Sequence, residues 1–119
     1  MSQPKKNYLI TGGAGFIGSH LVEKVFNSLH TPIIIDDLTS GYLNNIKDLN
    51  NFLILEKSVQ DLDKKELPKI DGIFHLAAQA SVPLSINDFY NSCKNNLLSS
   101  IKILDWAREF NVPIVYASS

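Results

Sequence analysis

Short apolar runs rich in β-branched residues alternate along the chain with longer stretches in which apolar positions recur every three or four residues. The short runs predict strands at Tyr8 to Thr11, Pro32 to Asp36, Phe52 to Lys57, Gly72 to Leu76 and Pro113 to Ala117. Strands that alternate with helical patterns imply right-handed βαβ crossovers, and so an α/β fold whose parallel sheet is buried on both faces.

The helical patterns are less uniform. A first helix is predicted from Phe16 to Leu29, with Ile17, Leu21, Val25 and Leu29 facing the sheet. The stretch Leu38 to Asn51 is polar and too short for more than a turn or two of helix, and Asp61 reads as the N-cap of a short helix that stops at Pro68. The longest helix spans Asn87 to Phe110, capped by Asn87 or Asp88. On it Phe89, Cys93, Leu97, Ser100, Ile101, Leu104 and Ala107 form one stripe, widened by Trp106 and Phe110, which is either core or a subunit interface. No internal repeat, linker or low-complexity tract interrupts the pattern.

The turn between the first strand and the first helix carries the most specific chemistry. Gly12, Gly13, Gly15 and Gly18 let the chain turn tightly and let a phosphate approach backbone N–H groups that any side chain would block. Those N–H groups open a helix, whose partial positive charge favours a pyrophosphate. Asp36 closes the second strand, where its carboxylate can accept hydrogen bonds from both ribose hydroxyls of an adenosine. Strand, glycines, helix and acid thus follow in the order a dinucleotide grip requires. They predict a Rossmann-type doubly wound parallel sheet of about five strands in the order 3-2-1-4-5.

Composition narrows the partners. The chain has 119 residues, 45% of them hydrophobic, enough for one domain with a modest core. A formal net charge of -1 gives no electrostatic reason to expect a nucleic acid or an anionic membrane, so a small-molecule ligand fits better. A single cysteine, Cys93, cannot form an internal disulfide, which fits a reducing cytoplasm; no Cys and His cluster has metal-ligand spacing. The apolar stretch after Asn7 is broken by glycines, and no run is long enough to span a membrane.

Five ordered segments carry a family resemblance: Gly12-Gly-Ala-Gly-Phe-Ile-Gly-Ser-His-Leu21, Asp36-Asp-Leu-Thr-Ser-Gly41, His75-Leu-Ala-Ala-Gln-Ala-Ser-Val82, Asn96 and Val115-Tyr-Ala-Ser-Ser119. Together the chain resembles the extended short-chain dehydrogenase/reductases, and within them the NAD-dependent nucleotide-sugar epimerases and dehydratases. The resemblance implies an N-terminal NAD-binding domain over residues 1–119, truncated, with a C-terminal substrate domain that this chain lacks. In that family Phe16 and Ile17 lie against the pyrophosphate, and Asp36, Asp37, Leu38, Thr39, Ser40 and Gly41 hold the adenosine ribose. A carboxylate at Asp36 repels a 2′-phosphate and so favours NAD over NADP. Leu76, Ala77, Ala78, Gln79 and Ala80 let the backbone pass close to the cofactor, and Asn96 helps hold the active-site end together near the nicotinamide. His75 reads as a packed, hydrogen-bonded residue at the strand end; the family does not use it chemically.

The chain departs from the family at the acid that reaches the adenine amine, where Ser58 stands in the stretch Lys57-Ser-Val-Gln-Asp61. A serine hydroxyl still accepts a hydrogen bond but is shorter and uncharged, and Val59 keeps an apolar contact to the ring. Ser119 aligns with the serine or threonine that bonds the reacting sugar oxygen beside a Tyr-x-x-x-Lys pair. No such pair is present, since Tyr8, Tyr42, Tyr90 and Tyr116 all lack a lysine four residues later. The resemblance therefore implies an epimerase acting on a nucleotide-sugar, UDP-linked, through a keto-sugar, homodimeric when full length, with the chain alone inactive. The alternatives are a dehydratase or decarboxylase of the same family, or a non-catalytic module that senses NAD.

Overall fold

The computed structural model describes residues 4–13, 16–37, 53–76 and 86–116. Five strands, β1 (Asn7–Thr11), β2 (Thr31–Ile35), β3 (Leu53–Leu55), β4 (Gly72–His75) and β5 (Ile114–Tyr116), form one parallel sheet in the order β3-β2-β1-β4-β5. Helices α1 (Phe16–Asn27) and α2 (Ile86–Phe110) provide crossovers, and two 3-10 turns, Val59–Asp61 and Lys64–Glu66, lead from β3 to β4. The Rossmann-like order expected from the sequence is the one observed, and each strand overlaps its predicted segment.

Alternation along the strands sends side chains to two cores. Leu9, Ile33, Ile35 and Ile73 pack with Ile103, Trp106 and Ala107 of α2, whereas Ile10 and Ile34 pack with Val22 and Val25 of α1. Successive residues of a strand point to opposite faces, so the two helices cover opposite sides of the sheet.

Three details differ from the sequence pattern. Helix α1 presents Gly18, Val22 and Val25 to the sheet, while Ile17 and Leu29 are 71% and 73% exposed. The reason is Gly18, which lies so close to the preceding turn that it sets the roll of the whole helix. Leu29 lies beyond α1 at φ 66, where His30 N–H donates to the Val25 carbonyl and Leu29 N–H to that of Phe26, a Schellman termination. Asn111 (φ 54) ends α2 in the same way.

No helix is capped by Asp61, which closes the first 3-10 turn. Asp63 caps the second instead: its carboxylate accepts from Lys65 N–H at 2.9 Å while Glu66 accepts from Asp63 N–H at 3.0 Å. Leu62, 1% exposed, is drawn into the core between the turns, and this anchoring interrupts the helix that local pattern favours. On α2, which starts at Ile86 so that Asn87 and Asp88 lie inside it, the expected stripe divides. Ser100 and Ala107 face inward with Ile103 and Trp106, but Leu97, Ile101 and Leu104 are at least half exposed.

Candidate functional site

Strands β1 and β4 are neighbours, yet the helices that follow them leave toward opposite faces of the sheet. This is the topological switch point, where an open parallel sheet forms a crevice outside its carboxyl ends. Among the described candidate residues, Gly12 and Leu76 directly follow β1 and β4 there, and Asp36 directly follows the neighbouring β2.

On the α1 side, the glycines answer to three separate constraints. Gly12 has φ 75, a conformation that L side chains rarely adopt, and its N–H donates to the Ile35 carbonyl at 2.7 Å. A Cβ on Gly13 would lie 2.5 Å from Cγ2 of Ile34. A Cβ on Gly18 would overlap the carbonyl oxygen of Gly12 and stand 2.9 Å from the Gly13 Cα. The N-terminus of α1 is therefore pressed against the turn, with Phe16 and Ile17 in its first turn. Gly15 and the side chain of Phe16 lie outside the described residues.

Asp36 follows β2 directly, one strand over from the glycine turn. Its N–H donates to the Leu55 carbonyl at 3.2 Å, so the backbone that carries the carboxylate is fixed to β3. Asp36 is half-buried and Asp37 exposed; Leu38, Thr39, Ser40 and Gly41 lie outside the described residues. At the next position outward, Ser58 Oγ donates to Asp61 Oδ2 at 2.9 Å, which leaves the oxygen's lone pairs as acceptors. Val59 is 3% exposed and spends most of its surface on the core.

Beneath the switch point lies a row of polar side chains that the motif-based reading did not assemble. Thr11, His75 and Tyr116 occupy one level of the sheet, paired across β1, β4 and β5. Thr11 Oγ1 is 2.7 Å from His75 Nδ1 and accepts from Leu76 N–H at 3.0 Å. On the other side of the ring, Nε2 lies 3.5 Å from Ser100 Oγ of α2, which is 2.7 Å from the Tyr116 hydroxyl. Burial holds the His75 imidazole below its usual pKa, which keeps it neutral near pH 7. The signal was present in the sequence: two strands with apolar centres each end in a polar residue, Thr11 and His75. Leu76 is half-buried directly after β4, while Ala77, Ala78, Gln79, Ala80 and Ser119 lie outside the described residues, as does the side chain of Asn96, whose backbone is in α2.

Elsewhere, a cavity of about 450 Å³ along α2 is lined by Asp61, Lys64, Lys102, Asp105 and Glu109 among others, and includes none of the glycines, Asp36 or His75. Among the described residues there is no group of three or more His, Cys, Asp or Glu that could hold a metal, and no helix long and apolar enough to cross a membrane.

The fold recurs in known proteins. A putative UDP-glucose 4-epimerase of Methanocaldococcus jannaschii is 39% identical over 113 residues, which cover 93% of this chain and 37% of that protein. Among solved structures, a UDP-N-acetylglucosamine 4-epimerase from Methanobrevibacter ruminantium superposes with a TM-score of 0.88 at 36% identity, covering 98% of this chain and 39% of that one. A Thermus thermophilus UDP-glucose 4-epimerase in complex with NAD gives a TM-score of 0.80 at 32% identity, covering 95% and 37%. The chain thus spans less than two fifths of the length of each of these relatives. The family model for the NAD dependent epimerase/dehydratase family matches residues 8–119, and the chain belongs to that family.

Proposed function

We propose that this chain is the N-terminal, NAD-binding part of a nucleotide-sugar 4-epimerase whose substrate is UDP-linked. The observation that carries the reading is the close approach of Gly18 to Gly12, which presses the start of α1 onto the turn after β1, with Asp36 directly after the adjacent strand. A helix start held at such a turn fits a diphosphate, and a carboxylate one strand away fits the attached ribose.

When bound, the nicotinamide dinucleotide supplies hydride abstraction from a sugar carbon and hydride return to the resulting keto-sugar. The chain's own residues bind and orient. The N–H groups after Gly12, at the start of α1, hold the pyrophosphate, and Asp36 and Asp37, with the segment to Gly41, hold the ribose hydroxyls. Ser58, its proton committed to Asp61, accepts from the adenine amine beside Val59. By the family resemblance, Leu76 to Ala80 and Asn96 serve the nicotinamide end of the cofactor, and Ser119 bonds the reacting sugar oxygen. Proton exchange falls to a Tyr-x-x-x-Lys pair that residues 1–119 do not contain, so this chain alone binds NAD without turning over. The exposed Leu97, Ile101 and Leu104 on α2 support a homodimer of the full-length enzyme through this helix.

Calorimetric titration of the chain with NAD and with NADP tests the reading. Binding of NAD with rejection of NADP is expected. Equal affinity for both contradicts the role of Asp36, and absence of NAD binding contradicts the whole assignment.

A further inference from the structure

Every buried polar side chain among the described residues belongs to one network, Thr11, His75 and Ser100, extended by the half-exposed Tyr116. Their buried polar atoms all have partners. Apolar residues of similar volume would pack the same space, and a buried polar network is worth more for fixing one arrangement than for stability. Its place is also selective. The network lies at the carboxyl edge, directly under the point where the chains after β1 and β4 diverge.

The connections show what is fixed. Thr11 is the last residue of β1 and immediately precedes Gly12. Leu76 N–H donates to both the carbonyl and the hydroxyl oxygen of Thr11, each at 3.0 Å, and His75 Nδ1 meets the same hydroxyl at 2.7 Å. Through Nε2 the same ring reaches Ser100 of α2, and through Ser100 it reaches Tyr116, whose own ring lies 5.2 Å away. A neutral imidazole carries one proton and one lone pair. Whichever nitrogen holds the proton, one link is donated and the other accepted, and the two hydroxyls rotate to match.

We infer that His75 is a positioning residue: its ring clamps Thr11, and with it the start of the glycine turn, to α2 and β5, and so fixes where the chain leaves β1 to form the turn that receives a diphosphate. The inference rests on the dinucleotide reading of the site. His75 touches no ligand; it acts through Thr11.

Side-chain reach separates this role from simple packing. An Asn amide ends near the position of Nδ1 and a Gln amide near that of Nε2. His75→Asn therefore keeps the link to Thr11, whereas His75→Gln keeps only the link to Ser100. Thr11→Val, nearly isosteric, removes the Thr11 link without altering position 75. The experiment combines calorimetric titration of the folded chain with NAD and hydrogen exchange of the Gly12 N–H without ligand. The loss of one buried hydrogen bond sets the scale: His75→Asn stays within about threefold of the unmodified affinity, while His75→Gln and Thr11→Val lose about tenfold and exchange Gly12 N–H faster. Equal affinities for the Asn and Gln variants, or affinities that merely follow thermal midpoints, overturn the proposal. If the unmodified chain does not bind NAD, the dinucleotide reading falls and takes the proposal with it; if it binds but the variants do not separate, only the role of His75 falls.

Discussion

Gly18 stands so close to Gly12 that a single added methyl group would overlap the Gly12 carbonyl oxygen. Neither backbone can yield easily, because Gly12 is held by its bond to Ile35 and Gly18 is inside α1. Gly18→Ala is therefore expected to destabilise the chain by about 1–3 kcal/mol, the range for overpacking a tight contact, and to weaken NAD binding beyond the loss of folded protein. Thermal melts with parallel titrations measure both. An alanine variant with unchanged melting and affinity would mean that the helix does not close on the turn.

The acid at the end of β2 sets cofactor choice by charge. Asp36→Ser removes the repulsion of a 2′-phosphate and keeps a hydroxyl for the ribose, so the preference for NAD over NADP should shrink by at least about tenfold, equivalent to about 1.4 kcal/mol. Asp36→Ala should weaken NAD as well. Affinities of both variants for the two dinucleotides, compared at one ionic strength, check this directly.

Leu29 occupies a left-handed position that suits glycine, and its side chain is 73% exposed. Leu29→Gly relieves a backbone cost of about 1 kcal/mol while losing little burial, so it is expected to raise the thermal midpoint by a few degrees. A lowered midpoint would contradict the Schellman termination of α1.

Burial lowers the pKa of His75 below its usual 6.5, so the folded chain binds fewer protons at this site than the unfolded chain does. The resulting stability is complete above about pH 6.5 and is lost progressively as pH falls through the lowered value. Denaturant unfolding between pH 5 and pH 8 should show that slope in the unmodified chain and a shallower one in His75→Asn. Parallel slopes would place the imidazole in solvent.

Much of this was legible because backbone geometry imposes strict demands on residue type. Gly12 and Gly18 could be read as a turn and a close approach, and the apolar runs as strands, since glycine and β-branched residues have few other uses in that order. Helix orientation was less legible. Ile17, Leu21, Val25 and Leu29 make a regular stripe, but hydrophobic periodicity does not register the absent Cβ of Gly18, which turns α1 until Val22 faces inward. Likewise Ile103 and Trp106, not Leu97 and Leu104, anchor α2. The network around His75 depends on strand register, which brings Thr11, His75 and Tyr116 to one level and cannot be counted from spacing.

In the proposed complex, the amides at the start of α1 receive a diphosphate while Asp36 holds the neighbouring ribose. A titration of the isotopically labelled chain with NAD, followed through the backbone amide resonances, tests it most directly. The largest displacements are expected at Gly12, Gly13, Ile17 and Asp36. Displacements confined to other residues, or none at saturating NAD, would contradict it.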